Sequence, residues 1–469
     1  MLNTIENLPV EKQMVDLYNE NLKLIRGEET SVISRLRDKA MDIFRKNGFP
    51  GKNTEGWRFT DIMPLFNTQF NFDFNFQSRP VDIEKIFTCD VYDLDTFSVT
   101  LLNGWYVYKN VPLTTLSDGT VIGSLSKAMD VFPELVGKYL GTAATLQQPG
   151  LTAFNTAFFQ DGLFIYVPEN TKVEKPIQLI NIVNSERPIM LQPRYLLIQE
   201  KNSSLTLVHC DHAMTHSVSL TNTVSEVFLE QGAQLDHYKI QNKRSHSAVI
   251  NNIFFRLKSG SNLTSNTITL YGGFTKNVLS VQLAEPEAKA ELNGLYLVDE
   301  NQHVDNQLQI EHAAPNCISN QQYKGILDDN ATAVFTGKIM VNKDAQKTLA
   351  YQNNKNILLT DHAKVNAQPQ LEIYADDVKC SHGATVGQLD SEALFYMRTR
   401  GLSTQTARQL LLLAFAGEIV DKISIDPLRE SIARLVEKRL KGELSICDQC
   451  LLHCNSTEPT VFNIDMSKI

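Results

Sequence analysis

"NIFFRLKSGSNLTSNTITLYGG", Asn252 to Gly273, decides how this chain folds. A β-branched and aromatic run ends in a polar turn around Gly260, and a second run resumes at Leu263. Short apolar runs of this kind, punctuated by Gly, Ser and Asn, read as strand, turn, strand. The turn-then-strand unit recurs: "NSSL" ends on Leu205, "GAQL" on Leu235, "GSNL" on Leu263 and "KAEL" on Leu292, at intervals of about 30, 28 and 29 residues. Repeats of that length mark a solenoid, in which each unit buries its apolar face only by stacking on its neighbours. "NATAV" comes later than the period requires, and "HAKV" resumes it near Val365. The expected fold is therefore mainly β, a parallel β-helix of stacked coils over residues 151–390, in which no amphipathic helix interrupts the strands. A large β-sandwich is the rival that four imperfect repeats leave open.

Both flanks read differently. Residues 1–150 form a helical and mixed region. In "SVISRLRDKAMDIFRKNGFPG", Ile33, Leu36, Ala40, Ile43 and Phe44 recur at helical spacing, and Gly48 with Pro50 supplies a stop. A polar turn, "GKNTEGWRFTDI", follows, and then "FNTQFNFDFNF", which suits an edge strand or a surface groove. "SLSKAMDVFPELVGKYLG" reads as short helices. Residues 391–445 turn helical again. "DSEALFYMRTRG" has Asp390 as cap and Gly401 as stop, and "STQTARQLLLLAFAGEIVDKI" is apolar enough to be buried against the solenoid end. "DPLRESIARLVEKRLKG" has Asp426 as N-cap, Pro427 in its first turn and Gly442 closing it, with an apolar stripe of Leu428, Ile432, Leu435, Val436 and Leu440. That helix pair serves either as a cap for the solenoid or as a docking face for a partner. Residues 446–469 are a Cys-containing tail.

Composition bounds the function. A net charge of -9 over 469 residues argues against nucleic acid or an anionic membrane as the main partner. No apolar stretch is long enough to cross a bilayer, and the opening "MLNTIENLPVEKQMVDLYNE" lacks the features of a signal peptide. Seven cysteines without framework spacing fit reduced thiols, hence a cytoplasmic protein. There is no G-x-x-x-x-G-K-[ST], no G-x-S-x-G and no H-E-x-x-H, so neither ATP hydrolysis nor a self-sufficient hydrolytic site is expected.

The chemistry-bearing residues concentrate near the end of the expected solenoid. In "DDVKCSHGATVGQLD", Asp376 to Asp390, Cys380 and His382 stand two apart. In an extended strand they project from one face, with backbones roughly 6–7 Å apart. A thiolate and an imidazole suit zinc or iron–sulfur chemistry, but two ligands leave a site incomplete. A buried Cys beside a hydrogen-bonded core His is the alternative. "HCDHAMTH" offers His209, Cys210, His212 and His216; His209 and Cys210 face opposite sides of a strand, and histidines of this stretch read as surface residues near a turn. The tail "CDQCLLHCNSTEP" offers Cys447, Cys450, His453 and Cys454 as a metal site, or simply as reduced thiols on a flexible tail.

Residues 319–423 carry a resemblance that bears on the incomplete pair. "PQLEIYADDVKCSHGAT" and "FYMRTRG", with "HVDNQLQIEHAAPNC" upstream, closely resemble the SufB/SufD family of iron–sulfur cluster assembly proteins, the SufD branch in particular. "GKNTEGWRFTDI" resembles that branch's N-terminal signature around Glu55, Trp57, Arg58 and Thr60, whereas residues 61–150 and the tail match poorly. The resemblance implies a β-helix core with helical ends and a non-catalytic scaffold that pairs with SufB. It also implies a SufC ATPase carried on the C-terminal helices, and a nascent, transient cluster built at the SufB–SufD interface. By the same resemblance His382 contributes to that site, with Cys380 beside it. A homodimer when SufB is absent and a reduced flavin are further expectations of the family that no residue here establishes. The sister subunit SufB has His-Glu-Ala where this chain reads His382-Gly383-Ala384, so a SufB-like role is the lesser alternative. A β-helix carbohydrate-active protein is the reading from another class, but no convergent carboxylates support it.

Overall fold

A computed structural model describes residues 9–27, 29–75, 94–107, 111–144, 150–215, 217–242 and 246–442. Its core is a parallel β-solenoid of about eight turns between residues 162 and 387. The strands alternate between two sheets. One runs from Trp105–Tyr106 and Phe97–Leu102 through Ile177–Val183, Ser204–Ala213, Gln234–Asn242, Asn262–Tyr271, Lys289–Val298, Ile318–Leu327 and Thr348–Leu358 to Val378–Gly387. The second runs from Leu113–Thr115 and Val121–Ser124 to Lys364–Ile373. Strand pairs within the solenoid proper are parallel; the two antiparallel additions lie at its beginning.

Register explains both the success and the slip of the repeat reading. One column of hydrogen-bonded neighbours links Leu205, Leu235, Leu263, Ala290, Ser319, Ala350 and Cys380. Leu292 sits one step further in, beside Ser265, so the "KAEL" alignment is out by two residues. Because side chains alternate with period two, that slip preserves the face. The late unit has a different cause. Ala333 and Val365 pair with each other in the opposite sheet, while the coil expected between them and Leu292 is Ile318–Leu327. Each coil turn carries a residue in the left-handed region: Asn170, Asn202, Gly232, Gly260, Glu287, Asn316 and Lys347. Only Gly, Asn and Asp adopt it cheaply, so Glu287 and Lys347 hide the turn from a sequence search.

The inward columns from both sheets form one apolar core, with Leu205, Leu235 and Leu263 facing Leu229, Leu257 and Leu283. The outward faces are covered separately. Val208, Cys210, Tyr238, Ile268 and Leu295 of the first sheet pack under Leu412, Ala416, Ile419, Leu428, Ile432, Val436 and Leu440 of the C-terminal helices Thr404–Val420 and Asp426–Leu440. These helices therefore lie along the flank of the solenoid and not against its end, because the apolar surface they need is on the outward columns. Asp426 occupies the first helical position, with Ile425 as the cap.

The N-terminal helices cover the second sheet. Helix Ser31–Asn47 ends at Gly48 in the left-handed region, as expected, and packs with Phe154, Phe158, Leu220 and Ile250. The β run expected from residue 151 opens instead with Leu151–Phe158, a helix whose every residue is buried. The Phe-rich segment makes a single parallel bridge, Asn71 to Ile189, and lays Phe70, Phe72 and Phe74 on this cluster. Over the described part it forms no strand beyond that bridge, and Phe70 lines a surface pocket of about 360 Å³ together with Val218, Ser219 and Phe274.

Two buried ion pairs fasten this flank. Arg194 pairs with Glu226, whose carboxylate also accepts the N–H groups of Gly141, Ala143 and Ala144 at 2.8–3.0 Å. Lys276 pairs with Asp305 under the Trp57 ring, its Nζ 4.4 Å from the ring centroid, and donates to the Gly56 carbonyl at 2.9 Å. Thr60 donates to Asp305. The "TEGWRFT" signature is thus a docking strip for the outer face of the solenoid.

Candidate functional site

The last coil is built unlike the others. Every residue of Ser219–Leu229 is buried, whereas none of Val378–Gly387 is. Val378–Gly387 and Lys364–Ile373 are the final strands of their sheets, so each keeps one edge without a described neighbour. Their core-facing positions look out of the open end: Cys380, His382, Ala384 and Val386 from one strand, and Val365, Ala367, Pro369, Leu371 and Ile373 from the other. Val386 is 46% exposed, Ile373 40% and the adjoining Tyr374 62%. An apolar rim around two unpaired parallel edges is the surface that native sheets otherwise cover or charge.

Cys380 and His382 share a face, as the spacing requires, yet their surroundings differ. Cys380 is half-buried against Leu371, Val378, Ile339, Val341 and Ala350, and this burial pushes its thiol up from the ordinary cysteine range. In the isolated chain it is a protonated, poorly nucleophilic thiol. His382 is exposed and has no hydrogen-bond partner among the described residues. Its neighbour one coil down is Gln352, 3% exposed, which donates to Gln321 Oε1 at 2.9 Å. Nothing in the sequence separates Gln352 from other glutamines, because coil stacking alone brings residues thirty apart together.

The other histidine cluster is not on the surface. His209 and His212 are buried, 4% and 7% exposed. His209 faces inward, where the Lys239 ammonium lies 2.8 Å from its Nε2 and 2.7 Å from Asp211 Oδ2. Cys210 faces outward beneath the C-terminal helices. These groups are a closed polar plug in the core. His237 and Ser265 form a further pair, and burial pushes His237 down to about 3. His216, Cys447, Cys450, His453 and Cys454 lie outside the described residues. Among the described residues, no three His, Cys, Asp or Glu side chains converge to hold a metal.

Beside the open end runs Ser391–Thr399, capped by Asp390, whose carboxylate accepts the N–H groups of Glu392 and Ala393. This helix buries no residue, and Phe395 and Tyr396 are 69% and 58% exposed. The following helix, Thr404–Val420, packs against Ser391–Thr399 and leaves Leu410 exposed to solvent. No helix among the described residues is long and apolar enough to cross a membrane.

Comparison with known proteins places this geometry. The family model for the SUF system FeS cluster assembly SufBD core domain matches residues 181–415, and that for the SufBD protein N-terminal region matches residues 8–179. The chain belongs to the SufBD family. A SufBD-family iron–sulfur cluster assembly protein of Synechocystis is 29% identical over 444 residues, 93% of this chain and 97% of the relative. The iron–sulfur cluster assembly protein SufD of Escherichia coli is 28% identical over 402 residues, covering 85% and 90% of the two chains. SufD of Bacillus subtilis is 24% identical over 410 residues, 80% and 88%. Residues 61–150, which carry no family motif legible by inspection, fall inside the N-terminal SufBD match. As a SufBD protein the chain acts in SUF iron–sulfur cluster assembly.

Proposed function

We propose that the chain is a SufD-like, non-catalytic scaffold that pairs with SufB through the open end of its solenoid and there helps build a nascent cluster. The observation that carries this is His382, a core-facing residue of the last coil, which no further coil covers among the described residues. An imidazole held on a strand, where no further pair of His, Cys, Asp or Glu side chains converges among the described residues, is a ligand whose remaining coordination a neighbouring protein must complete. Cys380 is the auxiliary group: its thiol needs a nearby cation or metal before it ionises. The cluster is cargo, assembled and handed on.

The C-terminal helices would dock the SufC ATPase. Phe395, Tyr396 and Leu410 give that surface its apolar content. Polar links add to the apolar packing that joins it to the solenoid: Lys324 pairs with Glu418 and donates to the Phe415 carbonyl at 3.0 Å, and Lys422 pairs with Glu291 at 2.9 Å. A displacement of helix Thr404–Val420 would thus reach strands Lys289–Val298 and Ile318–Leu327.

Co-expression with SufB and SufC tests the reading. The expected result is a three-protein complex in which His382→Ala preserves assembly and lowers cluster yield; undiminished yield rejects the ligand role. Ile373→Lys with Val386→Lys should leave the chain folded and abolish pairing with SufB. Retained pairing would move the interface elsewhere.

A further inference from the structure

Behind His382 the lumen holds a short ladder of side-chain amides. Gln321, Gln352 and His382 occupy one inward column on three successive strands. Gln352 Nε2 donates to Gln321 Oε1 at 2.9 Å, while Gln352 Oε1 is buried and makes no hydrogen bond among the described residues. An unpaired buried carbonyl is costly, and each rung of an in-register amide ladder offers its free oxygen to the next residue of the column. Here that residue is His382. The amide has little freedom to turn away. A Cβ built on Gly337, in the facing sheet, would lie 1.7 Å from Gln352 Nε2, so the glycine is what admits the amide across the lumen.

Gln352 Oε1 and the His382 imidazole stand as neighbours in the column, both unpaired among the described residues, and we propose that they pair when the exposed ring turns towards the lumen: Gln352 is then the positioning residue of His382, its Oε1 accepting from one imidazole nitrogen and so directing the other out of the open end. Adjacent strands lie about 4.8 Å apart, a span that two such side chains bridge. The bond selects one neutral tautomer, as outer partners of metal-binding histidines do. It also satisfies the one polar atom of the ladder that faces the terminal coil. The inference rests on the proposed role of His382 for its functional meaning, but the hydrogen bond stands or falls by itself.

The test is nitrogen NMR of the histidine side chains in the full-length chain, with the His382 signals assigned by their loss in His382→Ala. Wild type should show one dominant tautomer. Gln352→Met, which keeps the volume and removes the acceptor, should give a mixed population, and Gln352→Glu, which keeps an acceptor at the same reach, should restore a single one. Should the Met variant not fold, Gln352→Asn, which withdraws the amide by one methylene, supplies the same reading. An identical tautomer population in wild type and acceptor-less variants overturns the assignment. Cluster yield in the complex with SufB and SufC is the second readout. About a tenfold fall in Gln352→Met, with recovery in Gln352→Glu, is expected of an outer-shell partner. If His382→Ala leaves yield intact, the ligand reading fails while the NMR result still decides the hydrogen bond.

Discussion

The two ends of the solenoid solve the same problem in opposite ways. At the beginning, antiparallel strands fold back on each sheet: Trp105–Tyr106 on Phe97–Leu102, and Leu113–Thr115 on Val121–Ser124. The coils next to them are clamped from outside by Arg194–Glu226, and Lys276–Asp305 repeats the device farther along the stack. At the other end Lys364–Ile373 and Val378–Gly387 carry no added strand among the described residues, and no residue of the final strand is buried. A stack of coils needs capping to remain soluble on its own. The end left open among the described residues is where the chemistry-bearing pair of Cys380 and His382 stands. The closed end holds stability, and on the proposed reading the open end holds function.

The comparison can be broken first at the closed side. Arg194→Met leaves Glu226 buried without its cation, for an expected loss of about 3–5 kcal/mol in urea unfolding. A change below about 1 kcal/mol would mean that the clamp does not hold the flank. Matched truncations then compare the ends directly. Leu263→Ala in the core column should cost about 2–5 kcal/mol, whereas Leu371→Ala at the rim should cost less than about 1 in the isolated chain and appear mainly as weaker SufB binding. Equal costs would show that the rim is packed like the interior.

Acid sharpens the same contrast. Burial pushes His237 down to about 3 and His312 down to about 4, from an ordinary 6.5. Their stabilising contribution is complete above the unfolded value and is lost as pH falls towards the folded ones, because the unfolded chain takes up protons first. Each should steepen the acid limb of stability by about 1.4 kcal/mol per pH unit below about 6.5. His237→Gln and His312→Gln should each flatten it, and an unchanged slope would place both imidazoles in contact with solvent. The smallest effect belongs to a turn next to the open end. Lys347, with φ 59, should become Gly with a gain of up to about 1 kcal/mol, the relief of a left-handed side chain less the entropy of glycine. A loss in melting temperature would show that the lysine side chain contributes more than its backbone costs.

What was legible in the sequence follows from distance along the chain. Leu205, Leu235 and Leu263 announced the coil because each turn before them holds Asn or Gly. The signal faltered where Glu287 took the same backbone conformation without the usual residue type, and the search then crossed to Ala333 and Val365 in the other sheet. The shared face of Cys380 and His382 was readable because two-residue parity is local. That this face is the lumen, that Gln352 lies beneath it, and that His209 is sealed beside Lys239 are matters of coil stacking, which brings residues about thirty apart into contact and leaves no local trace. Helix Leu151–Phe158 was missed because it is buried on all sides and shows no amphipathic stripe.

The alternation of the final strand has one more consequence. Loss or gain of a single residue in the bend at 374–377 would rotate Ser381 and Gly383 into the lumen and throw His382 onto the outer wall, with hardly any change in composition. Insertion of a whole coil would instead carry the imidazole outward by one strand spacing and keep its orientation. An insertion that keeps His382 facing the lumen is therefore expected to come as a complete turn, and the short bend before the last strand is the place where a single-residue change would cost that orientation.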